Sequence, residues 1–434
     1  MNVLKDLLLD LKYICTGLAD KRRSEDCRFG MDDIGLAAFS VFFMQSPSFL
    51  AHQRALAAGH GRSNCQTLLG MEAIPCDNHI RQMLDGNSPA AFDGLFIKAV
   101  KAVEDAGGLS AFHRLGKRVL IALDGTEHFC SRKIGCTKCS HRLRSDGKME
   151  YFHAFLGASL VAPGHARVLP LPPEFITPQD GAEKQDSERA AAKRWLTQHS
   201  AALARFRPVY LGDDLFACQP IASAIQTSGG NFILTCKPSS HKTIAGYLDG
   251  ADIEEHRQIV GRPGKQMTYV YRWMNEVPLR DTKDALLVNW FSVEMINAKN
   301  KRTYYNSFVT DLPVNADTVA ELAECGRSRW KIENETFNVL KTGGYNLEHN
   351  FGHGKSTLAS LLVTFNLLAF AFHTASQLTS LAWKAAVAAC GAQYRFFEHL
   401  RTITVYIVFP DWKTLLTTIA NPKSHPPPCH HPPS

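Results

Sequence analysis

The sequence predicts a mixed α/β layer that is interrupted by an antiparallel β insertion and preceded by a helical N-terminal domain. Three observations predict it. Two short apolar runs, residues 118–123 and 207–211, lead into Asp124-Gly125 and Gly212-Asp213, as buried strands carrying a carboxylate at one end do. Residues 267–274, 285–296 and 303–311 are aromatic and β-branched and alternate with period two. Residues 1–110, in contrast, alternate apolar runs (34–44 and 90–103) with turn signals at Gly59–Gly61 and Gly86–Pro89.

A chain of 434 residues is long enough for two or three domains and a sizeable core. Its 45% hydrophobic and 21% charged content excludes a largely disordered protein. The net charge of +7 is only mildly basic, so composition alone names no partner. The distribution says more. Residues 1–110 hold 11 Lys+Arg against 13 Asp+Glu, a net of −2, so the remainder carries +9. Residues 113–148 hold nine Lys+Arg and three acids, which collects positive charge around Asp124 and suits a polyanion. The 12 cysteines are scattered, as free thiols in a reducing compartment are. Lys5, Asp6, Asp10 and Lys12 interrupt the first apolar run, so no signal peptide is expected. Residues 356–383 lack charge, but Thr357, Ser360, Thr364, Asn366, His373 and Gln377 make them buried helices rather than a membrane span.

The elements follow in order. Residues 1–112 form the helical domain, with Ser48 and Asp77 as candidate N-caps. Arg54, Arg62 and Arg81 suggest DNA binding there; a structural or dimerising role is the alternative. The first part of the α/β layer covers 113–237. Within it, residues 127–148 form a polar excursion with Cys136-x-x-Cys139 and with His128, Cys130 and His141 nearby. The second ligand pair that a zinc pattern needs is missing from the spacing, so a basic loop facing phosphates is expected, its thiols incidental. Residues 151–161 and 166–171 read as strands joined at Pro163-Gly164, and 183–205 as an amphipathic helix. Strand 207–211, helix 216–227 and strand 231–237 complete this part. The insertion covers 238–313, with Trp273 and Trp290 expected in its core rather than stacked on a base. Residues 314–375 return to the layer with one long helix, 317–341, capped at Asn315 or Asp317 and ending near Gly343-Gly344. Residues 376–420 are helical, a candidate dimerisation segment, and the Pro/His-rich 421–434 reads as a disordered tail.

On helix 317–341, Arg329, Glu333, Phe337 and Lys341 recur every four residues and so share a face. Asp124 and Asp213 lie at strand ends 89 residues apart, and Glu333 follows 120 residues later. Three carboxylates on two strand ends and a helix can hold two divalent ions roughly 4 Å apart. Hard oxygen ligands favour Mg²⁺ or Mn²⁺. Arg329 and Lys341 are then left to face DNA phosphates. Glu335 stays open as an alternative to Glu333, and Asp214 as an alternative to Asp213.

With LIALDGT (120–126), YLGDDLFACQP (210–220) and RSRWKIENETFNVLK (327–341), the chain resembles the DDE transposases of bacterial insertion sequences. Within them it is similar to the group with a β-strand insertion and a tyrosine–arginine–glutamate–lysine signature. The resemblance covers the layout of residues 115–375. It implies a ribonuclease H-like mixed sheet, with Asp124, Asp213 and Glu333 as catalytic ligands of two Mg²⁺ or Mn²⁺ ions. It implies Arg329 and Lys341 as contacts to DNA. The expected activity is cleavage of double-stranded DNA at the transposon ends and transfer of the 3′-hydroxyls to target DNA. A homodimer in the synaptic complex, no membrane, and a bacterial cytoplasmic location at the nucleoid are implied with it. The alternatives are a metal-dependent nuclease of the same fold and a decayed remnant that only binds DNA. The sequence departs from the signature at Gly326, where the tyrosine falls, and at Lys341, eight residues after Glu333 rather than seven.

Overall fold

The computed structural model describes residues 3–22, 27–178 and 186–421; the expected tail lies outside them, apart from Asn421. One mixed sheet runs through the chain. Its strands are β1 (Leu120–Ser131), β2 (Ser140–Leu143), β3 (Met149–Val161), β4 (Leu169–Pro170), β5 (Glu174–Ile176) and β6 (Val209–Gly212). They continue with β7 (Asn231–Thr235), β8 (Glu254–Val260), β9 (Met267–Pro278), β10 (Leu287–Asn297) and β11 (Arg302–Thr310). The order is β2-β3-β1-β6-β7-β11-β10-β9-β8, with β4 and β5 also on β3. β1, β6 and β7 run parallel to one another, and every other pairing is antiparallel.

The strands of the insertion pair antiparallel to one another and continue the sheet. β11 pairs with β7 through Phe308↔Thr235, Val309↔Leu234 and Thr310↔Ile233, so it extends the sheet. An unpaired edge at β7 would leave backbone groups without partners, and β11 supplies them. Residue pattern shows the strands but not the edge they join. β2 and β8 escape the sequence reading because their residues are mostly polar, and β8 is an exposed edge strand.

Side chains alternate across the sheet, so its two faces meet different helices. Tyr210 packs against Trp195 of helix Glu188–Leu203 on one face (centroids 6.1 Å apart). On the other lie Val319–Arg327 and the turns after it. The expected single helix 317–341 runs as one continuous helical segment from Val319 to Thr342, tightening to 3₁₀ geometry at Ser328–Trp330 and widening to π geometry at Ile332–Phe337.

Helices from both ends of the chain share one core around Leu358–Thr379. This helix is apolar on all sides and almost wholly buried, as the uncharged stretch suggested. Phe39 packs on Phe365 and Phe372, and Phe43 on His373 and Trp412. The Asn64 side chain donates to the carbonyls of Thr404 and Ile407 and accepts from the Phe409 N–H. Arg401 donates to the carbonyls of Met44 and Gln45. Residues 1–112 and 376–420 thus pack against each other through these contacts. Ser48 caps its helix by accepting from the Ala51 N–H. Asp77 is the first helical residue rather than the cap, and it pairs with Arg81 at 3.0 Å.

Candidate active site

Asp124 does not end β1; the strand continues to Ser131. What ends is the pairing on one side. β1 follows β6 only through Leu120↔Val209, Ile121↔Tyr210 and Ala122↔Leu211, then continues with β3 alone. A crevice therefore opens between β1 and β6, and Asp124 and Asp213 fall at its mouth. In open α/β sheets such a fork at the carboxyl ends of parallel strands is where ligands bind.

Glu333 is brought over this fork by a seat on β3. Gly157 is the register partner of Asp124. A Cβ at Gly157 would come within 2.7 Å of the Phe337 ring, so only glycine lets Phe337 lie flat on the strand. Phe337 also meets Phe155 edge-on at 6.0 Å, and the buried hydroxyls of Thr336 and Ser159 lie 3.0 Å apart. The helical segment widens to π geometry at Ile332–Phe337, a distortion common at functional sites.

The Arg329 guanidinium sits between two of the carboxylates, 3.3 Å from Asp124 Oδ2 and 2.7 Å from Glu333 Oε1. It was expected to face phosphates; here it bridges these two carboxylates. The Asp124 carboxyl is pushed up to about 7. Burial is the main cause; Arg329 opposes it, and the charges of Glu333, Asp213 and Glu188 add to it.

Glu188 is the residue that sequence reasoning missed. It opens helix Glu188–Leu203, capped by Ser187, and a Cβ on Gly125 would come within 2.4 Å of its carboxyl group. Burial raises its carboxyl above the usual range, and Asp213 raises it further. The only signal was an acid in the first turn of a charged helix, which is also where an acid serves the helix dipole.

The rival carboxylates are engaged elsewhere. Asp214 accepts from the Lys237 N–H at 2.7 Å and the Ser240 hydroxyl at 2.6 Å, and lies 3.2 Å from His241, so it orders the turn after β7. Glu335 lines a different hollow with Arg114, His165, Arg327, Trp330 and Lys331. Lys341, the other expected phosphate contact, pairs with Glu348 at 2.8 Å. Gly326 is packed against Phe308 and Ile233, where a Cβ would come within 2.9 Å and 3.0 Å, so a tyrosine does not fit there. Trp273 and Trp290 are buried in the sheet. In the excursion Arg132 pairs with Asp146, Arg142 with Glu127 and Glu150, and Arg144 with Glu150, which occupies much of the charge expected to face phosphates.

Asp124 and Glu333 thus meet at Arg329, and Asp213 and Glu188 lie near enough for their charges to act on the Asp124 carboxyl. Carboxylate oxygens are the donors that a hard divalent cation takes, so these residues are chemically suited to hold one. The fold and site define a mixed-sheet α/β protein with a carboxylate crevice at a strand fork. No protein-family model matches the chain, and no curated protein matches it. Among solved structures, a piggyBac transposase synaptic complex with hairpin DNA aligns over 98% of this chain and 82% of its own, at 11% identity and a TM-score of 0.41. A likeness that distant assigns neither residues nor activity to this chain.

Proposed function

We propose that the chain is a DNA transposase of the DDE type, which cleaves DNA at the ends of its element and joins the 3′-hydroxyls to target DNA. The observation that carries this reading is that Asp124 and Glu333, far apart in sequence, share Arg329, while the charge of Asp213 acts on Asp124 from the end of the neighbouring strand. The strand order β2-β3-β1-β6-β7, with β3 antiparallel to the parallel three, supports a ribonuclease H-like core.

In this reading Asp124, Asp213 and Glu333 would hold two Mg²⁺ ions, with Glu188 as a further carboxylate nearby. When bound, the ions supply activation of a water or 3′-hydroxyl and stabilisation of the leaving oxygen. The chain's own residues do the rest. β1 carries Asp124, Asp213 directly follows the end of β6, and Phe337 packed on Gly157 seats the segment that bears Glu333. Arg329 balances Asp124 and Glu333 before cation entry and is close enough to meet a phosphate afterwards. Asp124 holds a proton near neutral pH, so proton and cation compete at that carboxyl.

The test uses the DNA flanking the gene as substrate. Purified protein is expected to nick fragments carrying the inverted ends in Mg²⁺, and to join them to a supercoiled plasmid. Asp124→Asn should lower cleavage at least ~10³-fold while leaving end binding intact. Cleavage without joined products would leave a nuclease of the same fold. Wild-type cleavage by Asp124→Asn would refute the site.

A further inference from the structure

A second cluster of ligating atoms lies outside the carboxylate site, and its donors are soft. Cys136 and Cys139 come from the excursion between β1 and β2, His153 from β3, and His353 from the loop after the Glu333 segment. We propose that these four side chains bind one structural zinc ion, which fastens that loop to the sheet.

The distances carry the argument. A tetrahedral zinc with Zn–S near about 2.3 Å and Zn–N near about 2.0–2.1 Å requires S···S of about 3.8 Å, S···N of about 3.6 Å and N···N of about 3.3 Å. The Cys136 and Cys139 sulfurs lie 3.8 Å apart. His153 Nε2 is 3.6 Å from Cys136 Sγ and 3.3 Å from Cys139 Sγ. His353 Nε2 is 3.4 Å from Cys139 Sγ and 3.2 Å from His153 Nε2. All four atoms lie within 4.8 Å of one another. The sulfurs are too far apart for a disulfide, whose S–S bond is about 2.05 Å.

Two further features belong to a metal site. The Nδ1 of His353 lies 3.0 Å from the Gly354 carbonyl; donating to it leaves the Nε2 lone pair for the cluster, the arrangement that orients metal-bound histidines. The Cys136 N–H donates to Cys139 Sγ at 3.4 Å. Cys139 and His153 are buried, so the set is closed and offers no position for a substrate. Thiolate and imidazole select zinc where the carboxylates select a hard ion.

The loop is built to present His353. Gly354 adopts φ +69, and a Cβ there would come within 2.5 Å of Leu358. Asp85 accepts from the N–H groups of Lys355, Ser356, Thr357 and Leu358, and Arg81 donates to the Phe351 carbonyl. The CxxC spacing shows half of the site. His153 and His353, 200 residues apart, supply the pair that the spacing lacked.

Metal analysis of the full-length protein, purified in reducing buffer without added metal, tests the proposal. One zinc per chain is expected. It should be lost in the Cys136→Ser/Cys139→Ser variant and fall at least about tenfold in affinity in His353→Ala. Cysteine and histidines of the C-terminal tail are controlled by a Cys429→Ser/His430→Ser/His431→Ser variant, which should retain its zinc. Cobalt substitution should give the thiolate charge-transfer band and tetrahedral d–d bands of a mixed sulfur–nitrogen site. Should Cys136→Ser/Cys139→Ser not fold, the wild-type zinc content and the cobalt spectrum decide alone. Substoichiometric zinc in the wild type, zinc that follows the tail residues, or a cobalt spectrum without thiolate ligation would overturn it.

Discussion

Asp124→Asn should make the stability of the protein in EDTA less sensitive to rising pH. In the folded chain the Asp124 carboxyl is raised from 3.8 to about 7, so between those values the folded state holds a proton that the unfolded state has lost. Stability from this group therefore falls as pH rises from about 4 to about 7 and stays low above. A shift of about three units corresponds to about 4 kcal/mol at alkaline pH, and about 3 kcal/mol of it develops between pH 5 and pH 8. Asparagine has no such titration. For 434 residues, an unfolding entropy of about 2.1 cal/mol/K per residue makes 3 kcal/mol equal to about 3 °C. Thermal melts in EDTA at both pH values measure it: the wild type should lose about 3 °C more than Asp124→Asn on going from pH 5 to pH 8. Loss of the Arg329 contact lowers the variant at both pH values and leaves this difference standing. Millimolar Mg²⁺ at pH 8 should raise the wild-type melt and move the variant much less. Equal pH dependence in the two proteins would refute the idea that burial, helped by the neighbouring carboxylates, raises the Asp124 carboxyl.

The other predictions concern the same crevice. Glu333→Gln should lower cleavage at least ~10³-fold and Glu335→Gln less than about threefold; the reverse ranking in a nicking assay would reassign the third carboxylate. Gly157→Ala should push Phe337 off β3, costing about 1–3 kcal/mol by denaturant titration and lowering cleavage, and Phe337→Leu in the same chain should restore part of both. Glu188→Gln should raise the Mg²⁺ concentration needed for half-maximal cleavage; an unchanged Mg²⁺ titration would place Glu188 outside the metal's reach. Lys341→Ala removes an ion pair whose Glu348 partner is exposed, so it should change stability by less than about 1 kcal/mol. A loss of DNA affinity in a gel-shift titration would show that Lys341 turns to phosphate when DNA is present.

Several parts of the fold were legible because local pattern carries them. The strands around Asp124 and Asp213, the three long insertion strands and the uncharged helix at 358–379 follow from apolar runs and period-two alternation. Gly326 marked the weakest match to the signature, and its packing against Phe308 and Ile233 explains why no side chain stands there. Polar strands β2 and β8 were missed because their residues resemble loop composition. Glu188 was missed because an acid in the first turn of a helix has an ordinary reason to be there.

Read alone, residues 1–434 contain the chemistry: three carboxylates at meaningful places, a CxxC without its partners, and basic residues around Asp124. Only the folded chain chooses among them. Glu333 rather than Glu335 shares Arg329 with Asp124, Asp214 is committed to the turn after β7, and two histidines 200 residues apart meet the two cysteines. The physical reason is that spacing along a chain reports neighbours within an element. Which edge, face or loop meets another is decided by the burial of apolar surface and the pairing of backbone groups, and those are properties of the whole molecule.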